Sequence, residues 1–456
     1  MRRVVKVSRI RIIITIIVVV LTTLLTGCTG KEPNEIAYVV ALGIDSTDDD
    51  NYKITIQYAN TTQISGGASE SGGKAGSEIV DNVTIEAPNI YAGVGLANNI
   101  VSKSFSMSHA KLIVFSKEIA EKGVKDMIET LVRSEEIRPD VFIAVANTTA
   151  NDYLTAVNPE MEVNPAQYYQ LIYQKNQLVG IPDGQLREFF TGLYTDNYDS
   201  ILPVAGVIDG SGGNSQNDDK GQSKDSQNEG SEGSSESLDS FESKSSNEKD
   251  ENEKEKDAEK NTSKYEYDIK NYIGGETTIE KKNKAEAIGA AVFEKDKMVG
   301  ELGEVETEIC KMLKGDYIYS YLTYYNNDTP DIPITVKTTQ QKKPKYKIDT
   351  DKKTIDIELY IESDLYSLPA DYNVENKIED FEREVANYTS STCTEFINNF
   401  TKKYNSDILK LNEKVKYKFL TNNQYNWFKK NVGWSEYKFS VCTDFKVRRT
   451  GLIVRE

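Results

Sequence analysis

The sequence predicts a mixed α/β (α+β) protein of three domains, the last a β-sheet packed by one long amphipathic helix. Short β-rich runs alternate with amphipathic stretches from residue 36 to about residue 203, the pattern of strands interleaved with helices. Between 209 and 264 the composition shifts to Ser, Asp, Glu, Asn, Gly and Lys, with Leu238 and Phe241 the only large apolar residues. Beyond that break, Ile378, Phe381, Val385, Tyr388, Thr392, Phe396 and Phe400 recur at three- and four-residue steps, which places them along one side of a long helix.

The amino terminus reads as a signal. Arg2, Arg3, Lys6, Arg9 and Arg11 precede an apolar run from Ile12 to Leu25 that is too short to read as a spanning helix. Leu25-Thr26-Gly27-Cys28 follows. Small residues before a cysteine leave an extended, unhindered cut for a lipoprotein peptidase, so residues 1–27 are expected to be removed and Cys28 to carry a diacylglyceryl group. At roughly 0.8 kcal/mol per buried methylene, one acyl chain holds marginally and two or three hold firmly.

Residues 28–208 are expected to form an amino-terminal α/β domain. Ile36 to Ile44 and the alternating Ile54-Thr55-Ile56-Gln57-Tyr58 flank the acidic turn Thr47 to Asn51 and read as a hairpin. A Gly/Ser stretch over 65–77 reads as a loop, followed by a strand near Val80 to Ile85. A helix is expected over 89–101, a strand at Leu112 to Phe115, and a helix capped by Ser116 and running to Arg133. Phe142 to Ala146 is another short strand.

The segment 209–264 has nothing to bury and is expected to be a disordered acidic insert. Residues 265–330 are expected to form a small middle domain, with the hairpin Ile288 to Phe293 and Met298 to Gly300 around Glu294-Lys295-Asp296-Lys297, then a helix from Glu304 to Leu313. In the carboxyl-terminal α+β domain, 331–456, strands at 332–338, 346–348, 354–361 and 438–447 supply the sheet that the apolar stripe of the long helix needs.

Composition narrows the chemistry. Loss of residues 1–27 removes five positive charges and takes the formal net charge from −17 to −22. Such a chain is repelled by phosphate backbones and anionic head groups, so nucleic acid is not an expected partner and membrane attachment must come from the lipid. Cys310, Cys393 and Cys442 are far apart and form no CxxC pair; they fit buried thiols or a single disulfide, and no metal site is expected. His109 is the only histidine, which removes most hydrolase triads. No catalytic residue and no cofactor is expected.

Several segments taken together resemble the Ger(x)C family, the lipoprotein C subunit of spore germinant receptors. They are Glu35-Ile36-Ala37 with Leu42-Gly43-Ile44-Asp45, then Ser108 to Phe115 with Ala120 to Val124 and Arg133 to Arg138. Ile288 to Phe293 with Asp296 to Gly300 and Glu306-Thr307 follows, and the end of the chain adds Trp427 through Trp434 and Arg448-Arg449-Thr450-Gly451. The resemblance covers nearly all of the mature chain in order. Two departures are Thr29-Gly30, where Trp-Asp often follows the cysteine, and the long insert. The resemblance implies a three-domain α/β protein on the outer surface of the spore inner membrane. It would work with a polytopic A subunit and a transporter-like B subunit.

Single residues carry two readings each. His109 could sense a ligand, or hydrogen-bond the backbone at a strand entrance. Arg133, Glu135 and Arg138 sit at a helix end before Pro139, where charges complement the dipole or bind a partner. Trp427 and Trp434 are expected to be core anchors, with a partner-facing role as the alternative. The 27 tyrosines would suit an interaction surface or reflect composition alone. For function, a non-catalytic receptor subunit required for germination competes with a lipid-anchored solute-binding protein delivering a ligand to a transporter, and with a surface enzyme.

Overall fold

The computed structural model describes residues 13–18, 33–49, 51–59, 80–159, 162, 164–174, 180–195, 197–208, 271–277, 283–325, 333–367 and 377–450. Cys28, the loop 65–77 and the insert 209–264 lie outside them. Among the described residues no helix is long and apolar enough to cross a membrane.

The chain opens with β1 (Ile36–Ser46), β2 (Tyr52–Ala59), β3 (Val80–Ala87), α1 (Ile90–Ala97), β4 (Ser104–Ser106) and β5 (Leu112–Ser116). It continues through α2 (Lys117–Lys122), α3 (Lys125–Val132), β6 (Phe142–Ala146), α4 (Ala150–Ala156), α5 (Pro165–Gln174), α6 (Leu186–Thr195) and β7 (Ile201–Val207). After β8 (Ala285–Glu294) and β9 (Lys297–Leu302) comes α7 (Glu304–Lys314). These strands form one sheet in the order β3-β2-β1-β5-β6-β7-β8-β9, with β4 paired to β1. β1, β5, β6 and β7 run parallel, and antiparallel strands flank them on both sides.

The apolar runs Leu-Ile-Val-Phe of β5 and Phe-Ile-Ala-Val-Ala of β6 are buried along their whole length, because a parallel sheet is covered on both faces. Ile113, Phe115, Ile143 and Val145 pack on one side with Ile128, Leu131 and Phe189 from α3 and α6. Leu112, Val114, Phe142 and Ala144 pack on the other with Tyr153 of α4 and Tyr169 and Tyr173 of α5. Gln57, also buried, is held there: its amide donates to the Leu154 carbonyl at 2.8 Å and its oxygen accepts from Tyr169.

Two expectations change here. The helix expected from Ser116 to Arg133 is two helices, because Gly123 sits at φ 124°, a region that L side chains rarely adopt, and the Val124 N–H turns away to Asp296 O at 3.0 Å. The stretch 265–330, expected as a small domain of its own, is divided: β8 extends the first sheet by pairing with β7, β9 follows it, and the next strand, at 319–325, opens a second sheet. The open edge of β7 explains this, since its N–H and C=O groups find partners only in chain that returns from beyond the insert.

The second sheet contains β10 (Tyr319–Tyr325), β11 (Pro333–Thr339), β12 (Lys345–Asp349), β13 (Thr354–Ser367) and β14 (Lys438–Arg449). Between the last two lie α8 (Ile378–Lys403), α9 (Leu411–Val415) and α10 (Asn422–Asn431). β11 and β12 share one edge of β13, taking its carboxyl and amino halves, while β14 runs parallel along the other. Ile355, Ile357, Leu359 and Ile361 alternate inward toward α8, which answers with Phe381, Val385, Cys393, Ile397 and Phe400.

The same helix treats the outer edge of β14 with polar side chains. Thr394 Oγ1 accepts from Val441 N at 3.0 Å, Ser390 Oγ from Thr443 N at 2.9 Å, Glu382 Oε1 from Val447 N at 2.8 Å, and Asn398 exchanges two bonds with Phe439. These helix positions lie at four-residue multiples, matching the two-residue step of the strand.

Candidate functional site

The two sheets meet along a seam between β7–β9 and the chain that joins α8 to α9. Ile201, Ala290, Val292 and Leu302 of the first sheet share a core with Ile357, Phe400 and Leu411 of the second half. Tyr404, at the end of α8, lies across Gly300 of β9, where an added Cβ would fall 2.2 Å from its hydroxyl.

Two carboxylates centre the seam. Asp199 precedes β7 and Asp407 follows α8; Asp407 N donates to Asp199 Oδ2 at 2.8 Å and Asp199 N to Asp407 O at 3.2 Å. Asp199 Oδ1 accepts from Lys295 N at 2.9 Å in the β8–β9 turn. Asp407 Oδ1 and Oδ2 accept from Leu411 N and Asn412 N at 2.7 and 2.8 Å, capping α9. All four carboxylate oxygens thereby accept from a backbone donor, which suits a joint between the two halves. Burial pushes the Asp407 carboxyl up to about 7 against the lowering effect of its two backbone bonds, and raises Asp199 as well. Ser406 Oγ to Phe293 O at 2.8 Å and Lys410 Nζ to Glu188 Oε2 at 3.2 Å add two further ties.

Two cavities adjoin the seam. One, of about 460 Å³, is lined by Lys311, Lys314, Lys343 and Lys410 against Asp183 and Glu188. Lys311 is buried and donates to Ile181 O at 3.1 Å; burial lowers its ammonium to about 8. The other, of about 550 Å³, is lined by Tyr198, Asp199, Asp407, Asn412, Lys430 and Trp434. Among the described residues, no cluster of three or more His, Cys, Asp or Glu is placed to hold a metal ion.

The residues singled out in the sequence are scattered. His109 is exposed, shares a hydrogen bond with the Ser108 hydroxyl at 3.0 Å and sits edge-on to Tyr38 at 4.9 Å; its partner is a side chain and not the backbone. Arg133 pairs with Glu129 at 3.2 Å and Arg138 with Asp140 at 2.9 Å, exposed pairs of small energetic weight. Glu135 is exposed, and its neighbour Glu136 accepts from Met107 N at 2.7 Å. Trp434 is a core residue, but Trp427 is 69% exposed: α10 turns Tyr425 and Phe428 inward and leaves Trp427, about 100° round the helix from Phe428, facing out. Cys310, Cys393 and Cys442 are free thiols, the first two buried and pushed up to about 12 by that burial.

Sequence reasoning missed Asp199 and Asp407. Nothing in their short polar surroundings marks two residues 208 positions apart as partners. It also left unexplained the Gly43-Ile44-Asp45 match, whose role is structural. A Cβ at Gly43 would fall 3.1 Å from that of Ala150, and Asp45 accepts from Ala150 N at 2.6 Å and Asn151 N at 3.0 Å, so the motif docks and caps α4.

Comparison with known proteins places these features in a family. Residues 30–207 match the family described as spore germination protein N-terminal domain, and residues 288–451 match spore germination B3/GerAC like, C-terminal. Spore germination protein KC of Bacillus subtilis (strain 168) is 26% identical over 174 residues, 35% of this chain and 42% of that protein. The putative spore germination protein YfkR of the same organism is 28% identical over 145 residues, 32% of this chain and 37% of its own. The aligned stretches thus span less than half the length of these curated relatives. The crystal structure of the GerBC protein aligns over 89% of this chain and 96% of its own, with a TM-score of 0.47 and 15% identity. One family match takes in β1 through β7 and the other runs from β8 through β14, in order, so the chain belongs to the Ger(x)C family of spore germination proteins.

Proposed function

We propose that the chain is a non-catalytic lipoprotein subunit of a nutrient germinant receptor. In this reading Cys28 anchors it to the outer face of the spore inner membrane, where it assembles with a polytopic A subunit and a transporter-like B subunit. The observation that carries the reading is the pair of family matches, which together take in both sheets. The seam is compatible with it: Asp199 and Asp407 bind backbone donors that tie the two halves together, and burial holds the Cys310 and Cys393 thiols protonated. A lipid anchor raises the effective concentration of the chain near its partners, so that modest interfaces persist.

Deleting the chain in a background without redundant receptors is expected to abolish germination with one class of nutrient, while triggers that bypass the receptor still work. Normal germination with every nutrient tested would overturn the reading. Cys28→Ala is expected to leave unprocessed precursor, or protein lost from the membrane fraction, on fractionation and immunoblotting; mature membrane-bound protein at the wild-type level would remove the anchor.

A further inference from the structure

Residues 414–430 depart from the rest of this acidic chain. They carry five lysines and no Asp or Glu, in a sequence whose formal charge is −17. Lys414, Lys418 and Lys429 donate to the neutral carbonyls of Leu409, Ile348 and Thr195, and Lys416 lies over the Tyr425 ring at 5.9 Å. Asp407 and Glu413 act on Lys414 and Asp349 on Lys418, so the charge offered outward rests chiefly on the exposed Lys416 and Lys430.

The same segment exposes large apolar groups. Tyr417 is 76% exposed, Leu420 95% and Trp427 69%. Leu420 precedes the cap Thr421 of α10, the position from which an apolar residue ordinarily staples onto the first turns of its helix. Here Phe419 takes that place against Tyr425 and Phe428, with ring centroids 6.0 and 4.9 Å apart, and Leu420 is left pointing outward. Phe428, Trp434 and Tyr437 continue the packed row beneath, at 6.0 and 4.9 Å. Leu420 and Trp427 therefore project from beside Phe419 and Phe428, two members of a packed aromatic row.

Exposed Trp and Tyr beside lysine is the composition favoured where protein meets lipid head groups. We infer that the face formed by Tyr417, Leu420 and Trp427, with Lys416 and Lys430, docks on an anionic lipid surface. The chain's overall negative charge repels such a surface, so this basic face also sets which side of the molecule turns toward it. The inference goes beyond the receptor reading and takes from it only that a membrane is near.

The chain has two tryptophans, and Trp434 is buried, so the difference in emission between wild type and Trp427→Phe reports Trp427 alone. The full chain is reconstituted in vesicles of phosphatidylcholine, or of phosphatidylcholine with phosphatidylglycerol. Trp427 is expected to shift to the blue and to be quenched by brominated lipid only in the anionic vesicles. K416Q/K430Q is expected to lower the docked-to-undocked ratio roughly fivefold per lysine, with circular dichroism unchanged. Trp427 emission that stays water-like in anionic vesicles, while the chain sediments with them, would overturn the docking face and leave the anchor standing. Shielding of Trp427 only when other receptor subunits are present would assign the face to protein and overturn it too. A chain that leaves phosphatidylcholine vesicles but still shows the anionic shift would remove the anchor and support the face.

Discussion

Replacing Asp407 by alanine is expected to destabilise the chain by about 3 kcal/mol, since the Leu411 and Asn412 N–H groups would be left buried without their acceptor. The carboxyl has an ordinary value of 3.8 and stands at about 7 in the fold. The folded state therefore holds a proton that the unfolded chain releases, and stability contributed by this group is full below about pH 4 and falls as pH rises through 7. At about 1.4 kcal/mol per unit the whole span is worth roughly 4 kcal/mol. Glu308, also raised to about 7 by burial, acts in the same direction. In urea unfolding followed by circular dichroism between about pH 5 and pH 8, the deficit of Asp407→Ala should be largest at the acid end and shrink toward the alkaline end. Asp407→Asn, which keeps one acceptor, should flatten the wild-type decline; an undiminished slope would mean that another group titrates.

Gly206→Ala is expected to cost roughly 3 kcal/mol or more, from overpacking that the backbone cannot relieve. A Cβ at Gly206 of β7 would stand 2.0 Å from the Gly274 carbonyl carbon and 2.2 Å from the Gly275 nitrogen. Both obstacles are main chain, and the strap they belong to is pinned: Gly274 N donates to Ile288 O at 3.0 Å, and the Gly274 carbonyl accepts from Asn147. Glu286, buried on β8, accepts from Gly275 N and Thr277 Oγ1, so pushing the strap outward also strips a buried carboxylate of donors. Differential scanning calorimetry of Gly206→Ala beside Gly95→Ala, a glycine with open space around it, separates the clash from the general effect of replacing glycine. Equal midpoints for the two variants would remove the close-approach account.

How much of this was legible depended on whether the signal was local. The four- and five-residue apolar runs of β5 and β6 and the three-and-four spacing of α8 are properties of contiguous sequence, and each element forms where its pattern lies. The break at Gly123 was less readable, because Glu-Lys-Gly-Val fits a helical face until the β8–β9 turn claims the Val124 N–H. Trp427 misled for a related reason: a large aromatic is expected inside, and only the orientation fixed by Tyr425 and Phe428 turns it out. The Asp199–Asp407 joint had no local mark, and Cys28, the clearest motif in the sequence, lies outside the described residues.

The row Asn398, Thr394, Ser390 and Glu382 that α8 lays along β14 has a consequence under the proposed attachment of the chain to a membrane surface. Lipid-bound chains meet in two dimensions at high local density, where an unguarded strand edge invites one copy to add its sheet to the next and grow into a fibre. With the N–H groups of Phe439, Val441, Thr443 and Val447 already taken by helix side chains, this edge of β14 has fewer donors to offer a neighbour's ladder. Under crowding, this edge is then a poorer template for such stacking than a bare strand would be.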